Sequence, residues 1–110
     1  METLSLNRSP TGTAEKLVIA ELQALCGIIK RATTNDGELV KSWNQSTIMN
    51  VLYDVTPTDR VARMVRLAGE RSHAFEVSLA RRASNGCEID RLRQAAVSSV
   101  RGLIKAIEEI

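Results

Sequence analysis

The sequence is poor in the residues that most enzymes and disulfide-stapled domains rely on. Its 110 residues include one histidine, two cysteines, two prolines, and one each of Trp, Tyr and Phe. Because Trp43, Tyr53 and Phe75 are its whole aromatic content, aliphatic side chains and alanine must fill the interior, which suits packed helices. Cys26 and Cys87 are too few and too far apart to form a disulfide framework, so we expect reduced thiols.

Catalytic and cofactor motifs are also absent from the sequence. A nucleophilic residue needs a base beside it, yet there is one histidine, no Gly-rich phosphate loop and no Cys-His pattern. Glu70 and His73 have the Glu-x-x-His spacing of di-iron carboxylate bundles. At about 100° per residue, however, Glu70 falls nearly opposite the apolar stripe of its helix. We therefore predict no enzyme activity, no cofactor and no metal site.

Charge of one sign and long apolar runs are equally scarce. The formal net charge of +2, from 15 basic and 13 acidic residues, does not by itself indicate a nucleic acid or an anionic membrane as partner. No apolar run is long enough to cross a bilayer, and no secretory signal is recognisable. These features predict a soluble, cytoplasmic protein that does not bind a membrane.

Hydrophobic periodicity near 3.6 residues is what the sequence does contain, and it predicts an all-α fold. The four predicted helices run from Thr13 to about Thr33, from Glu38 to about Asp54, from Pro57 to about Ala83 and from Glu88 to Ile110. We expect residues 1–12 to form a mobile N-terminal arm, because their last half is turn and linker chemistry. Residues 13–110 then form a single helical domain.

The two C-terminal helices are expected to form a long antiparallel hairpin. Thr56 is the predicted N-cap of the third helix, with Pro57 at its first position. Gly86 suits the left-handed turn that ends a helix, and Asn85 with Glu88 has capping-box spacing for the next one. Because the connection between the third and fourth helices is short, the two helices are expected to be antiparallel. The two shorter N-terminal helices are predicted to pack on this hairpin.

The fourth helix has an apolar stripe that continues to the last residue. Leu103, Ile107 and Ile110 belong to it. A chain of this size buries only a modest fraction of its surface as a monomer, so a second copy is a natural cover for such a stripe. We expect a homodimer, a dimeric helical bundle, with Leu103, Ile107 and Ile110 at its interface.

The third helix carries a second, weaker apolar face opposite its main stripe. Arg63, Leu67, Ala74 and Val77 lie on that side, and arginine beside aliphatic residues is common at protein interfaces. We predict a partner-binding site there. The alternative, equally weighted, is that the first helix covers this face with its own wide apolar girth.

Arginine is the strongest chemical signal in the third helix and its end, at Arg60, Arg63, Arg66, Arg71, Arg81 and Arg82. One interpretation is contact with the phosphates of a nucleic acid. Acidic residues such as Glu70 and Glu76 dilute the patch, and no helix-turn-helix or aromatic-basic pattern supports base readout. Nucleic-acid binding through this arginine face is therefore the second hypothesis.

The function predicted from these features is protein binding by a small regulator or adaptor. In size and helical architecture the chain is similar to quorum-sensing antiactivators, small helical dimers that sequester transcription factors, although no motif residues carry that likeness. The likeness implies a transcription regulator as the partner. Salt separates the two hypotheses, because a phosphate binder loses affinity steeply as salt rises.

Overall fold

The computed structural model describes residues 12–56, 58–81 and 85–110. Within them lie helices and no strand: α1 Thr13–Arg31, a 3-10 turn Thr34–Asp36, α2 Gly37–Asp54, α3 Asp59–Ala80 and α4 Gly86–Glu108. The all-α prediction is confirmed. Apart from Gly12, the arm predicted for residues 1–12 lies outside the described residues.

The helices form a ring in which each contacts two others. α1 packs against α2 and α4, and α3 also packs against α2 and α4, whereas neither diagonal pair of described helices brings Cα atoms within 8 Å. Short connections join successive helices, which are therefore antiparallel neighbours. The two N-terminal helices lie against the C-terminal hairpin, α1 beside α4 and α2 beside α3.

The core lies where the inner stripes of the helices meet. Its largest fully buried apolar side chains include Leu22, Leu25, Ile29, Phe75, Leu79, Leu103 and Ile107. Leu103 and Ile107 are both 0% exposed in the single chain, so a second copy cannot reach them unless the bundle opens. The structure therefore moves these two residues from the expected dimer interface to the core. Ile110 is partly buried just beyond α4.

The start of α3 differs from the sequence prediction by two residues. The side-chain oxygen of Thr58 accepts a hydrogen bond from the backbone N–H of Val61 at 3.1 Å, so Thr58 rather than Thr56 is the N-cap. Both threonines are suited to capping, and local sequence does not choose between them. Pro57 lies outside the described residues.

The start of α4 carries the predicted cap. The side-chain oxygen of Asn85 accepts a hydrogen bond from the backbone N–H of Glu88 at 2.8 Å. Gly86, however, is the first residue of α4, and its backbone is not left-handed. The prediction that Gly86 ends the preceding helix was wrong, since α3 already ends at Ala80.

The polar run in the middle of α2 does not interrupt the helix, because its members face different ways. Asn44 is buried against α3, where its amide donates a hydrogen bond to the carboxylate of Glu76 at 3.3 Å, while Gln45 and Ser46 are exposed. The Oδ1 of Asn44 and the hydroxyl of Ser72 are buried without a hydrogen-bond partner among the described residues. The contact between α2 and α3 is therefore partly polar.

Arg93 on α4 ties together three helices at the C-terminal end of α1. Its Nη1 donates hydrogen bonds to the carbonyl oxygens of Ile29 and Ala32 at 2.8 Å, and to that of Lys30 at 3.2 Å. Carbonyls at a helix end lack regular partners, and a cation there also complements the helix dipole. The guanidinium carbon lies 5.2 Å from the ring centre of Phe75 on α3, within cation–π range.

We predict that Arg93→Ala destabilises the bundle by about 2–3 kcal/mol, because it removes a charged donor from partly buried carbonyls at the end of α1. For a domain of this size that loss lowers Tm by roughly 10–20 °C. The Tm of Arg93→Lys should lie between those of wild type and Arg93→Ala, since lysine keeps the positive charge but lacks the planar guanidinium fork. Thermal unfolding followed by circular dichroism measures these values.

The matched control is Arg91→Ala on the same helix. Arg91 has a side chain that is 70% exposed and pairs with Glu88 at 3.8 Å, and such surface pairs contribute about 0–1 kcal/mol. If Arg93→Ala melts at the same temperature as Arg91→Ala, Arg93 does not hold the end of α1.

Candidate functional site

The four residues predicted to bind a partner lie along the outer side of α3, where Ala74 and Val77 line a groove with α4 and Val77 also lines one with α2. Arg63 is exposed, and Leu67, Ala74 and Val77 are partly buried. α1 does not cover them, because α1 and α3 have no backbone contact. Of the two alternatives left open by the sequence, the structure therefore removes cover by the first helix. We call Arg63, Leu67, Ala74 and Val77 the α3 strip.

A groove between α3 and the start of α4 holds one end of the α3 strip. It encloses about 470 Å³ and is lined by His73, Ala74, Val77, Ser78, Arg81, Glu88 and Leu92. Leu92 of α4 joins Ala74 and Val77 as the third apolar side chain of this groove, and it was not among the site residues predicted from the sequence. Arg63 lies about 21 Å from Val77 along the helix, at 1.5 Å per residue. The site is therefore long and shallow, which fits an extended or helical segment.

The row of small residues on α4 is used inside the chain. Ser99 and Ala106 are buried, and Ala95 and Gly102 are partly buried. A Cβ placed on Gly102 would lie 3.4 Å from the sulfur of Met64 on α3. These residues thus let α3 approach α4 closely, and this approach brings the α3 strip beside α4.

Positive charge surrounds the α3 strip. Arg63, Arg66, Arg71 and Arg81 are all exposed, and none of them forms an ion pair with another described residue. Arg60, by contrast, pairs with Glu109 across the far end of α3 and α4. Arg82 lies outside the described residues. The strip therefore combines partly exposed aliphatic side chains with guanidinium groups that are available to an acidic partner.

The Glu-x-x-His pair does not build a site in the interior. Glu70 is exposed, and the side chain of His73 is 69% exposed, with its Nδ1 3.7 Å from a carboxylate oxygen of Glu76. The described residues contain no group of three or more His, Cys, Asp or Glu side chains placed to hold a metal ion.

Among the described helices, none combines the length and apolar character needed to cross a bilayer.

A second surface, which the sequence analysis did not single out, lies on the opposite side of the ring. The large apolar side chains that are exposed are Leu17 of α1 and Leu39, Met49, Leu52 and Tyr53 of α2. Hydrophobic periodicity does not indicate this surface, because α2 has apolar residues on both faces. A usable signal was the absence of charge between Lys41 and Asp54. We call these five residues and the surface between them the α1/α2 face.

The two cysteines lie in opposite environments. Cys26 is buried on α1 and Cys87 is exposed at the start of α4. Burial raises the pKa of the Cys26 thiol, an effect that the nearby positive charges of Arg101 and Lys30 only partly offset. A thiol with a raised pKa forms less of the reactive thiolate at neutral pH.

Comparison with protein-family models, with curated proteins and with solved structures finds no match to this chain.

We predict that Cys87 reacts with a thiol reagent such as iodoacetamide at least tenfold faster than Cys26 in the native protein, because accessible thiolate controls the rate. Peptide mass spectrometry at successive times gives both rates, and urea-unfolded protein supplies the control in which they converge. Equal native rates would contradict the position of α1 in the bundle.

Proposed function

We propose that this protein is a small regulator or adaptor that binds another protein along the α3 strip. The observation that carries the proposal is the pairing of partly exposed aliphatic residues with arginines that have no ion-pair partner among the described residues. Arginine and buried apolar anchors are the residues that dominate protein interfaces.

The geometry of the α3 strip defines the chemistry of the partner. Leu67 and Val77 are about 15 Å apart along α3, at 1.5 Å per residue, so a partner must place apolar side chains over at least two helical turns. An amphipathic helix whose anchors at i, i+3, i+4 and i+7 continue to i+10 or i+11 spans that distance. Carboxylates beside those anchors would form charge-assisted hydrogen bonds with the arginines. The fitting partner is therefore an acidic amphipathic helix.

A nucleic acid is a poorer fit to the same surface. Glu70 is exposed among the arginines of α3 and would repel phosphates, and a phosphate backbone makes no use of Leu67 and Val77. Sequestration of a transcription factor is the specific form of regulation that we propose. That choice rests on the likeness in size and helical architecture to quorum-sensing antiactivators, whereas the strip itself argues for an acidic amphipathic partner.

Leu67→Glu should leave the bundle folded and abolish partner binding. Because Leu67 is only partly buried, the carboxylate can turn toward solvent, and we expect Tm to change by less than about 5 °C. Val65→Glu on the buried side of the same helix is the control, and it should unfold far earlier because an unpaired charge is costly inside a core. If Leu67→Glu melts as early as Val65→Glu, the α3 strip is core and the proposal fails.

Reversal of charge tests the arginines separately from the apolar contacts. We predict that Arg63→Glu/Arg71→Glu retains its fold and loses at least tenfold in partner affinity, since two rim charges that attract would then repel. Lys16→Glu, an exposed lysine of α1, which has no backbone contact with α3, should bind normally. Affinity capture from nuclease-treated source cells with these variants, followed by mass spectrometry and binding titration, gives the comparison.

The same titrations separate a protein partner from a nucleic acid. A partner that depends on the arginines, contains an acidic amphipathic helix and loses little affinity between 50 and 200 mM salt supports the proposal. Four phosphate contacts would instead cost roughly a hundredfold over that range. Nuclease-sensitive binding with such a salt dependence would establish the nucleic-acid alternative.

A further inference from the structure

The α1/α2 face is the most apolar exposed surface of the described chain. Tyr53 is 78% exposed, Leu17 63% and Leu52 61%. No large apolar side chain of α3 or α4 among the described residues is exposed to that extent. Of the five large apolar side chains that are exposed among the described residues, four belong to α2 and one to the neighbouring α1. Exposed apolar surface that is concentrated in this way indicates an interaction site.

Apolar side chains of α2 occur on both its inner and its outer side. Its buried residues are Val40, Asn44, Thr47 and Val51, and two of these are polar. Its outward side meanwhile carries Leu39, Met49, Leu52 and Tyr53. A helix that is apolar on more than one side is buried on more than one side, and within one chain α2 is covered only by α1 and α3.

The middle of the α1/α2 face is almost free of charge. Residues 42–53 of α2 contain no Asp, Glu, Lys or Arg, and residues 17–29 of α1 contain only Glu21. The carboxylate of Glu21 accepts a hydrogen bond from the side chain of Asn50 at 2.7 Å. That bond places residues 21 and 50 of the antiparallel helices beside each other, so the charge-free stretch of α2 lies along the stretch of α1 in which Glu21 is the one charged residue. Depletion of charge is typical of the centre of a protein interface.

We propose that the α1/α2 face binds the same face of a second copy of this chain in a two-fold symmetric dimer. α1 and α2 are each about 28 Å long at 1.5 Å per residue, and two helix widths span about 20 Å. A face of these dimensions covers about 560 Å² in projection, which is of the same order as the roughly 800 Å² per partner of a standard interface. A lipid surface is a poorer occupant, because membrane-bound amphipathic helices carry many basic residues on their polar side.

The pattern along α2 is complementary to itself when the helix is reversed. A two-fold axis near Ser46 pairs α2 with its antiparallel copy. It places Leu39 against Tyr53 of the partner subunit, and Met49 opposite position 43 of the second copy, one residue along from Ser42 of the partner subunit. Small serines at the crossing let the helices approach, while larger side chains fill the space on either side. An isologous interface requires this kind of self-complementarity.

The proposed dimer leaves both α3 strips free. α1 and α2 occupy one side of the ring, and α3 and α4 the other, so each strip faces away from the second copy. One dimer would present two equivalent binding strips, which allows avidity toward a partner that is itself dimeric.

Sedimentation equilibrium between 1 and 100 µM tests the proposed dimer directly. We expect wild type to reach twice the monomer mass of 12.1 kDa. Met49→Glu/Leu52→Glu should weaken association at least a hundredfold while remaining folded, because both side chains are exposed in the single chain. Arg71→Glu on α3 is the matched control and should associate like wild type. A wild type that stays monomeric at 100 µM, or a dimer unaffected by Met49→Glu/Leu52→Glu, would overturn the proposal.

A cysteine at the proposed axis tests the orientation of the two copies. In a Cys87→Ser background, Ser46→Cys should form an intermolecular disulfide under mild oxidation, since its two copies would lie within the roughly 4.4–6.8 Å between Cα atoms that a disulfide spans. Arg71→Cys in the same background should not. Efficient cross-linking of Arg71→Cys and none of Ser46→Cys would place the interface on α3. Because neither variant alters an apolar residue of the α3 strip, a failed dimer leaves the proposed protein-binding function standing.

Discussion

The hydrogen bonds from Arg93 to the end of α1 hold the arrangement on which both surfaces depend. α1 contacts α4 and α2 but not α3, and the guanidinium on α4 is the polar link that fixes the C-terminal end of α1. The stacking of the same group on Phe75 connects that link to α3. With α1 held on α4 in this way, α3 keeps an uncovered outer edge and α1 lies beside α2.

The polar contact between α2 and α3 explains why apolar surface remains on the outside of α2. Asn44 and Glu76 occupy buried positions that apolar residues would otherwise fill, and the buried Oδ1 of Asn44 and hydroxyl of Ser72 lack hydrogen-bond partners among the described residues. Each such group costs on the order of 1–3 kcal/mol. Val40 and Val51 still bury apolar surface on the inner side of α2, and burial of its outer side by a second copy would offset the cost of the unpaired polar groups.

The sequence predicts the number of helices, their approximate bounds and the cap at Asn85, because periodicity and capping are local properties. It does not predict which helix covers which face. Leu103 and Ile107 have the pattern of an interface stripe, yet the other helices of the same chain cover them. For the α3 strip the sequence left two alternatives, and only the separation of α1 from α3 decides between them. Periodicity does not predict the α1/α2 face, because α2 has apolar residues on both sides. The charge-free run from residue 42 to residue 53 is the sequence feature that indicates it.

We propose that the bundle has two binding surfaces on opposite sides: the charge-poor α1/α2 face binds a second copy, and the arginine-rich α3 strip binds a different protein. Hydroxyl-radical footprinting measures the solvent exposure of the α1/α2 face and of the α3 strip in one experiment. On raising the concentration from 1 to 100 µM, we expect oxidation of Met49 and Tyr53 to fall severalfold while that of Leu67 and Val77 stays constant. Unchanged reactivity of Met49 and Tyr53, or protection that appears on α3 instead, would contradict this division of the two surfaces.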